Sequence, residues 1–239
     1  MASTTLSPAK RGTGRSSIGL KISMAVTGVI FVLFVLAHMY GNLKLLSGQL
    51  AFDEYAHHLR VFGEPMLPKM GLLWIMRIVL LVSVVIHAYA AFTLWGRANN
   101  ARSTRYAVHK MAQASLSSRF MRWGGVTILL FVIFHLIHFT IVKPNINADY
   151  TQAQIDASPY IMATASFKIW WVVLIYVLAM IALGMHINHG LWSATQTLGW
   201  ANSPSARATA KGIALIVAAL TVVGFLIPPL AVAFGLIAK

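Results

Sequence analysis

Five long hydrophobic runs, separated by more polar segments, divide the chain. They lie at about 22–46, 71–95, 122–142, 167–192 and 212–237, and each exceeds the roughly 18 apolar residues that mark a membrane-spanning helix. The pattern predicts an all-α membrane protein with five transmembrane helices. We expect residues 1–21 to form a polar cytoplasmic tail and residues 22–239 to form one transmembrane domain.

The connecting segments add two expectations about local structure. Segments 47–70 and 143–166 are long enough to hold short interfacial helices. Lys143-Pro144-Asn145 should end the third helix, because proline cannot donate the next backbone hydrogen bond. Pro228-Pro229 lies inside the fifth run and should kink that helix.

Composition supports a membrane protein and narrows its chemistry. The chain is 58% hydrophobic and 10% charged, whereas a soluble domain carries roughly 25% charged residues. It contains no cysteine, which excludes disulfides, cysteine-ligated iron–sulfur clusters and covalently attached haem. No short apolar core with a small-residue cleavage site precedes the first run, so we expect no removable signal peptide.

Acidic residues are confined to one end of the predicted helices, and most basic residues lie at the other. All five acidic residues fall in segments 47–70 and 143–166. The opposite side has no acidic residue and holds Lys10, Arg11, Arg15, Lys21, Arg97, Arg102, Arg105, Lys110, Arg119, Arg122, Arg207 and Lys211. The positive-inside rule predicts that the N-terminus lies in the cytoplasm and the C-terminus outside. We expect a multi-pass protein of a bacterial cytoplasmic membrane. The net charge of +14 then reflects topology and attraction to anionic lipid, and nucleic-acid binding is not needed to explain it.

Histidines occur inside four of the five runs, where an ionisable side chain is costly and points to a function. They are His38 in the first run, His87 in the second, His135 and His138 in the third, and His186 and His189 in the fourth. At 1.5 Å per residue from the basic side, His38 lies about 25 Å deep and His135 about 20 Å, whereas His87 lies about 15 Å deep. His186 is near the inner end of its run. The sequence therefore predicts an outer pair, His38 and His135, and an inner pair, His87 and His186.

Two levels, each with histidines from two helices, match the requirement of two stacked bis-histidine haems. A b-type haem needs no cysteine, and two axial histidines leave no position open for oxygen, so each haem would relay electrons. We therefore expect the first four helices to form a haem-binding bundle. Lys21 and Arg122 are candidates for contacts with the inner propionates, and Arg77 for the outer ones. Small residues that could line the haem slots are Gly28, Ala37, Gly41, Ala88, Ala90, Gly124, Gly125 and Gly184.

Other interpretations of the histidines stay open on the pattern alone. A histidine in a transmembrane helix can simply hydrogen-bond to a neighbouring helix, which would make the protein a haem-free scaffold or transporter. In the doublets His135/His138 and His186/His189 the members are three residues apart and lie near one helix face, so spacing does not decide which is the ligand. We interpret His57, His58 and His109, outside the runs, as solvent-exposed residues.

Several segments together resemble a known family, over about residue 16 to the C-terminus. They are SSIGLKISMAVTG, AHMYGNL, YAHHLR, FGEPMLP, LLWIMRIVLL, IHAYAAF, RWGGVTILLFVIFHL and MHINHGLWSATQTLGW. The last, with a histidine four residues before Gly-Leu-Trp-Ser, is the most specific. The chain resembles the single-chain, five-helix dihaem cytochrome b anchor of succinate:quinone oxidoreductases, which include succinate dehydrogenase and fumarate reductase.

The resemblance implies a role for each residue and a set of partners. It implies that His38 and His135 ligate the distal haem and that His87 and His186 ligate the proximal one. It leaves the roles of His138 and His189 open. The chain would be the electron-transfer subunit of an enzyme of the respiratory chain and tricarboxylic acid cycle. It would relay electrons between an iron–sulfur subunit, docked on the cytoplasmic face below a flavoprotein subunit, and a membrane quinone, expected to be menaquinone. A fumarate reductase anchor working in reverse is the alternative within this family. Candidate quinone-site residues are Glu54, His57, His58, Arg60 and Glu64.

Overall fold

A computed structural model describes residues 16–100 and 116–237, with only the backbone described for 116–119. The cytoplasmic cations expected at positions 10, 11, 15, 102, 105 and 110, and His109, lie outside the described residues. Within these ranges the chain forms α1 (Ser17–Leu43), α2 (Gln49–Val61), α3 (Gly71–Asn100), α4 (Leu116–Leu136), α5 (Gln152–Ala157), α6 (Pro159–Phe167), α7 (Trp170–Thr197) and α8 (Pro204–Ala233). Of the described helices, α1, α3, α4, α7 and α8 are long and apolar enough to cross a membrane, which confirms the five predicted spans.

The helix ends differ from the predicted boundaries because polar residues extend the helices beyond their apolar runs. The first helix begins at Ser17, inside the predicted tail, and Ser16 caps it by accepting a hydrogen bond from the Gly19 N–H at 3.0 Å. The fifth span begins at Pro204, several residues before its apolar run, with Ser203 as the cap. Pro228 and Pro229 lie buried within this helix, which continues to Ala233.

The third span ends where the sequence predicts. After α4 the backbone forms one π-helical turn, Ile137–Ile141, and Lys143 adopts a positive φ of 50° immediately before Pro144. Such π turns are often found at functional sites. This one contains His138.

The predicted interfacial helices are present and cover one end of the bundle, which we call the cap end. Helix α2 lies in segment 47–70, and α5 and α6 lie in segment 143–166. Asp53 of α2 joins the two segments, because its carboxylate accepts hydrogen bonds from Ser158 Oγ at 2.5 Å and from the Tyr160 N–H at 3.0 Å. Beneath them lies a buried apolar cluster of Leu45, Phe167, Val172, Val173, Tyr176 and Val232. The opposite end carries Lys21, Arg97, Arg122, Arg207 and Lys211, and we call it the basic end.

Packing places the spans in the order α3, α1, α7, α4. Helix α1 contacts α3 and α7, and α7 in turn contacts α4. We call α1 and α7 the central helices and α3 and α4 the peripheral helices. Helix α8 packs against both central helices, so all five spans belong to the packed bundle. Small residues allow this close approach: an added Cβ on Gly184 of α7 would lie 2.5 Å from Val222 Cγ2 of α8. The haem-binding role expected of the first four spans stays a prediction.

Candidate functional site

His38 and His135 meet near the cap end. Their ring centres are 5.9 Å apart and the ring planes are at 81°, so an imidazole from α1 faces one from α4. Aromatic side chains surround them: Phe34 stacks on His38 with ring centres 5.3 Å apart, and Phe131 and Phe139 lie against His135 at 5.8 and 5.6 Å. The surroundings of this cap-end pair are therefore apolar and largely closed to water.

His87 and His186 meet nearer the basic end. Their ring centres are 6.2 Å apart with planes at 54°, so α3 and α7 each supply one imidazole. Glycines on the other two helices face this basic-end pair. An added Cβ would lie 3.7 Å from His87 Cε1 at Gly28 of α1, and 3.4 Å from His186 Cε1 at Gly125 of α4. Side chains larger than alanine at these glycines would fill the space beside the imidazoles.

The remaining members of the doublets lie elsewhere. His138 is buried, and its Nε2 lies 3.1 Å from Ser166 Oγ of α6, while its buried Nδ1 has no hydrogen-bond partner among the described residues. His189 is half-buried on α7, one turn closer to the basic end than His186. The structure thus brings together the same four histidines that residue counting grouped by depth, and it leaves His138 and His189 outside both pairs.

Each pair includes one histidine whose Nδ1 is held by a hydroxyl group. Thr27 Oγ1 lies 2.9 Å from His87 Nδ1, and Tyr176 Oη lies 3.0 Å from His135 Nδ1. Sequence reasoning missed both residues, although a polar side chain within an apolar run was the available signal. It also missed Phe225 of α8, whose ring centre lies 5.8 Å from that of His38.

The geometry of the pairs fits axial ligation of haem iron. An imidazole nitrogen lies about 2 Å from a metal ion that it binds and about 1 Å from its own ring centre, so two axial imidazoles have ring centres roughly 6 Å apart. Both observed separations agree with this value.

In the described residues, no group of three or more His, Cys, Asp or Glu side chains suits a metal ion. Zinc takes three or four protein ligands, whereas haem iron needs only two beyond its porphyrin.

Of the three cations expected at the haem edges, two lie near the basic-end pair. Arg122 is exposed at the basic end, stacks 5.5 Å from the Trp95 ring, and precedes Gly125 by three residues, about 4.5 Å along the helix. Lys21 is exposed and lies two turns before Gly28. Both therefore lie on helix faces that lead to the basic-end pair. Arg77 is also exposed, and its guanidinium stacks 5.0 Å from the Trp74 ring.

Of the candidate quinone-site residues, three line one open cavity on α2. Glu54, His57 and His58 surround a volume of about 580 Å³ together with Lys44 and Tyr55. Arg60 and Glu64 are not among its lining residues. Tyr55 also packs against α1, since an added Cβ on Gly41 would lie 2.9 Å from its hydroxyl. Gly41 follows His38 by three residues, so this cavity lies close to the cap-end pair.

Other slot candidates have different neighbours. Gly41 faces Tyr55, and Gly184 faces Val222 of α8. An added Cβ on Gly124 would approach the backbone carbonyl of Ala182 at 4.0 Å. Only Gly28 and Gly125, of the slot glycines predicted from the sequence, face a histidine pair. The others let helices approach each other, which is the commonest role of glycine in membrane bundles.

Comparison with known proteins identifies the family. The profile of one family, described as Succinate dehydrogenase/Fumarate reductase transmembrane subunit, matches residues 93–226. The matched region contains His135 and His186, one member of each pair, and lies after His38 and His87. Neither the curated proteins nor the solved structures give a match to this chain. Because the matched residues make up more than half of the sequence, the chain belongs to the family of succinate dehydrogenase/fumarate reductase transmembrane subunits.

Proposed function

We propose that this membrane anchor subunit is the dihaem electron relay of a succinate:menaquinone oxidoreductase. His38 and His135 would hold one haem b near the cap end, and His87 and His186 a second near the basic end. A haem with two axial histidines supplies one-electron transfer without an open position for oxygen. The observation that carries the proposal is that four histidines from four spans meet as two facing pairs, at 5.9 and 6.2 Å.

The surroundings of each pair support this role. Aromatic rings around the cap-end pair provide an apolar enclosure for a wide, flat cofactor, and Gly28 and Gly125 keep space beside the basic-end pair. Lys21 and Arg122 lie where they would neutralise propionates at the basic end. We place that end in the cytoplasm by the positive-inside rule. Its excess of cations would then attract an acidic face of the iron–sulfur subunit.

We place quinone chemistry at the cavity on α2. Glu54, His57 and His58 can exchange protons with water, and Lys44 and Tyr55 can donate hydrogen bonds to a quinone oxygen. Tyr55 connects this cavity to α1 one turn from His38, which suits electron exchange with the cap-end haem. Glu54→Gln should slow menaquinol-dependent reduction of the haems in the purified complex while leaving the amount of haem unchanged. Glu64→Gln, outside the cavity, is the matched control. Equal rates in the two variants would remove the quinone site from this cavity.

The visible spectrum of the purified complex tests the haem proposal directly. Reduced-minus-oxidised difference spectra and extracted haem should give two b-type haems per anchor chain. Absence of a haem absorption band from protein made with sufficient haem supply would refute the relay. The chain would then act only as the membrane anchor of its complex.

A further inference from the structure

Two hydroxyl groups on the central helices contact histidines on the peripheral helices. Thr27 of α1 reaches His87 of α3, and Tyr176 of α7 reaches His135 of α4. In both cases the contact is with Nδ1. Each of these helices also carries a histidine of the pair that its hydroxyl group does not contact. Helix α1 carries His38, eleven residues after Thr27, and α7 carries His186, ten residues after Tyr176. Each central helix thus supplies one imidazole to one pair and one hydroxyl to the other.

The direction of the Thr27 hydrogen bond follows from its other partners. A threonine hydroxyl has a single proton, and Thr27 Oγ1 donates it within α1, to the Ser23 carbonyl at 2.7 Å with the Met24 carbonyl at 3.2 Å. Toward His87 the oxygen can then only accept. The proton of the His87 ring therefore lies on Nδ1, and Nε2 keeps its lone pair. That is the tautomer in which a neutral imidazole binds a metal through Nε2.

Tyr176 contacts the corresponding nitrogen of His135. With Nε2 bound to haem iron, as proposed, the ring proton would lie on Nδ1 and the Tyr176 hydroxyl would accept it. Tyr176 is buried, and the aromatic rings of Phe131, Phe139 and Phe167 pack edge-on against it, with centres 5.0 to 6.0 Å away. Its hydroxyl engages His135 Nδ1, so Nε2 is the nitrogen left for another partner. The apolar shell prevents water from replacing this contact.

We propose that Thr27 and Tyr176 are positioning residues, each of which fixes the tautomer and orientation of one haem ligand and sets the potential of that haem alone. This inference rests on the proposed haem function. A hydrogen bond from the non-coordinating nitrogen makes an imidazole a stronger donor to its metal. Stronger donation stabilises ferric over ferrous iron, and hydrogen bonding around the ligands is one of the protein's means of tuning haem potential. Loss of either hydroxyl should therefore raise the midpoint potential of one haem.

The test is spectroelectrochemical titration of both haems in the purified complex. Thr27→Val keeps the side-chain volume without the hydroxyl and should raise the potential of the basic-end haem only. Thr27→Ser restores the hydroxyl and should titrate as the wild type does. Tyr176→Phe keeps the buried ring and should raise the potential of the cap-end haem only. A His186→Ala complex, which should keep only the cap-end haem, assigns the two potentials.

The outcomes separate this inference from the proposed function. Loss of the basic-end haem in Thr27→Val, with its retention in Thr27→Ser, would also support a requirement for the hydroxyl. Two haems with unmoved potentials in both Thr27→Val and Tyr176→Phe would overturn the inference alone. So would an equal shift of both haems in either variant, since that indicates a general disturbance of the bundle. A wild-type complex without haem would instead overturn the proposed function.

Discussion

Removing one imidazole from a pair is expected to remove one haem and spare the other. His87→Ala and His186→Ala take away opposite sides of the same basic-end pair, whose ring centres are 6.2 Å apart. The cap-end pair is carried by two other helices and keeps its own aromatic enclosure. Each single variant should therefore fall from two haems per chain to one, with the same remaining spectrum.

Double variants test the pairing more sharply, because the effects of substituting residues that act as a unit do not add. If His87 and His186 hold one haem, the variant that lacks both should lose no more haem than either single variant, and one haem per chain should remain. If His38 and His186 serve different haems, the variant that lacks both should retain none. The two double variants remove the same number of imidazoles, so they differ only in how the imidazoles are paired.

Haem extracted per purified chain, with the reduced-minus-oxidised spectrum, measures these numbers. His189→Ala is the matched control, since His189 is on the same helix as His186 and one turn away. It should keep both haems. A complex of the His38→Ala/His186→Ala variant that still holds one haem would refute the pairing, and loss of a haem from His189→Ala would show that the wrong member of the doublet was chosen.

Two further predictions concern the packing that supports the site. Gly184→Ala places a Cβ 2.5 Å from Val222 Cγ2, about 1 Å inside ordinary carbon contact, and should destabilise the complex by about 1–3 kcal/mol in detergent unfolding. Gly190→Ala on the same helix meets Met121 Cε at 3.6 Å and should be neutral or stabilise by up to about 1 kcal/mol, so equal losses in the two variants would contradict the close α7–α8 contact. Asp53→Ala removes the two hydrogen bonds that the carboxylate accepts from Ser158 and Tyr160 at the start of α6, and should cost about 1–3 kcal/mol in the same unfolding assay. Glu54→Ala, an exposed neighbour, should stay within about 0.5 kcal/mol, and a similar loss there would contradict the role of Asp53.

The spans and the depths of the histidines could be predicted from the sequence, because both follow from counting residues along the chain. A bilayer fixes how many apolar residues a span needs, and the rise per residue converts position into depth. Residue counting alone groups His38 with His135, and His87 with His186. Their meeting in the structure agrees with these depths, because each of the first four spans contributes one of these histidines to one level only. Ligation of haem by these residues stays a prediction.

Lateral arrangement could not be predicted, because hydropathy does not record which helices are neighbours. Each span is predominantly apolar, so hydropathy does not mark the face that meets α8, and the position of Phe225 beside the cap-end pair could not be predicted. The role of Asp53 depends on α2 meeting the start of α6, residues more than 100 positions apart. The same holds for Thr27 and His87, which are 60 positions apart in sequence.

Because each central helix carries both a histidine and a hydroxyl group, movement of a central helix would affect both pairs, whereas movement of a peripheral helix would affect one. A small rotation of α7 would move His186 and Tyr176 together, and so would disturb both pairs at once. A rotation of α3 would move His87 alone among these groups. Close packing of α8 against both central helices opposes such rotations, because Gly184 leaves no space between α7 and Val222. The fifth span, which carries no histidine, would therefore contribute to the proposed electron transfer by holding fixed the two helices on which both haems would depend.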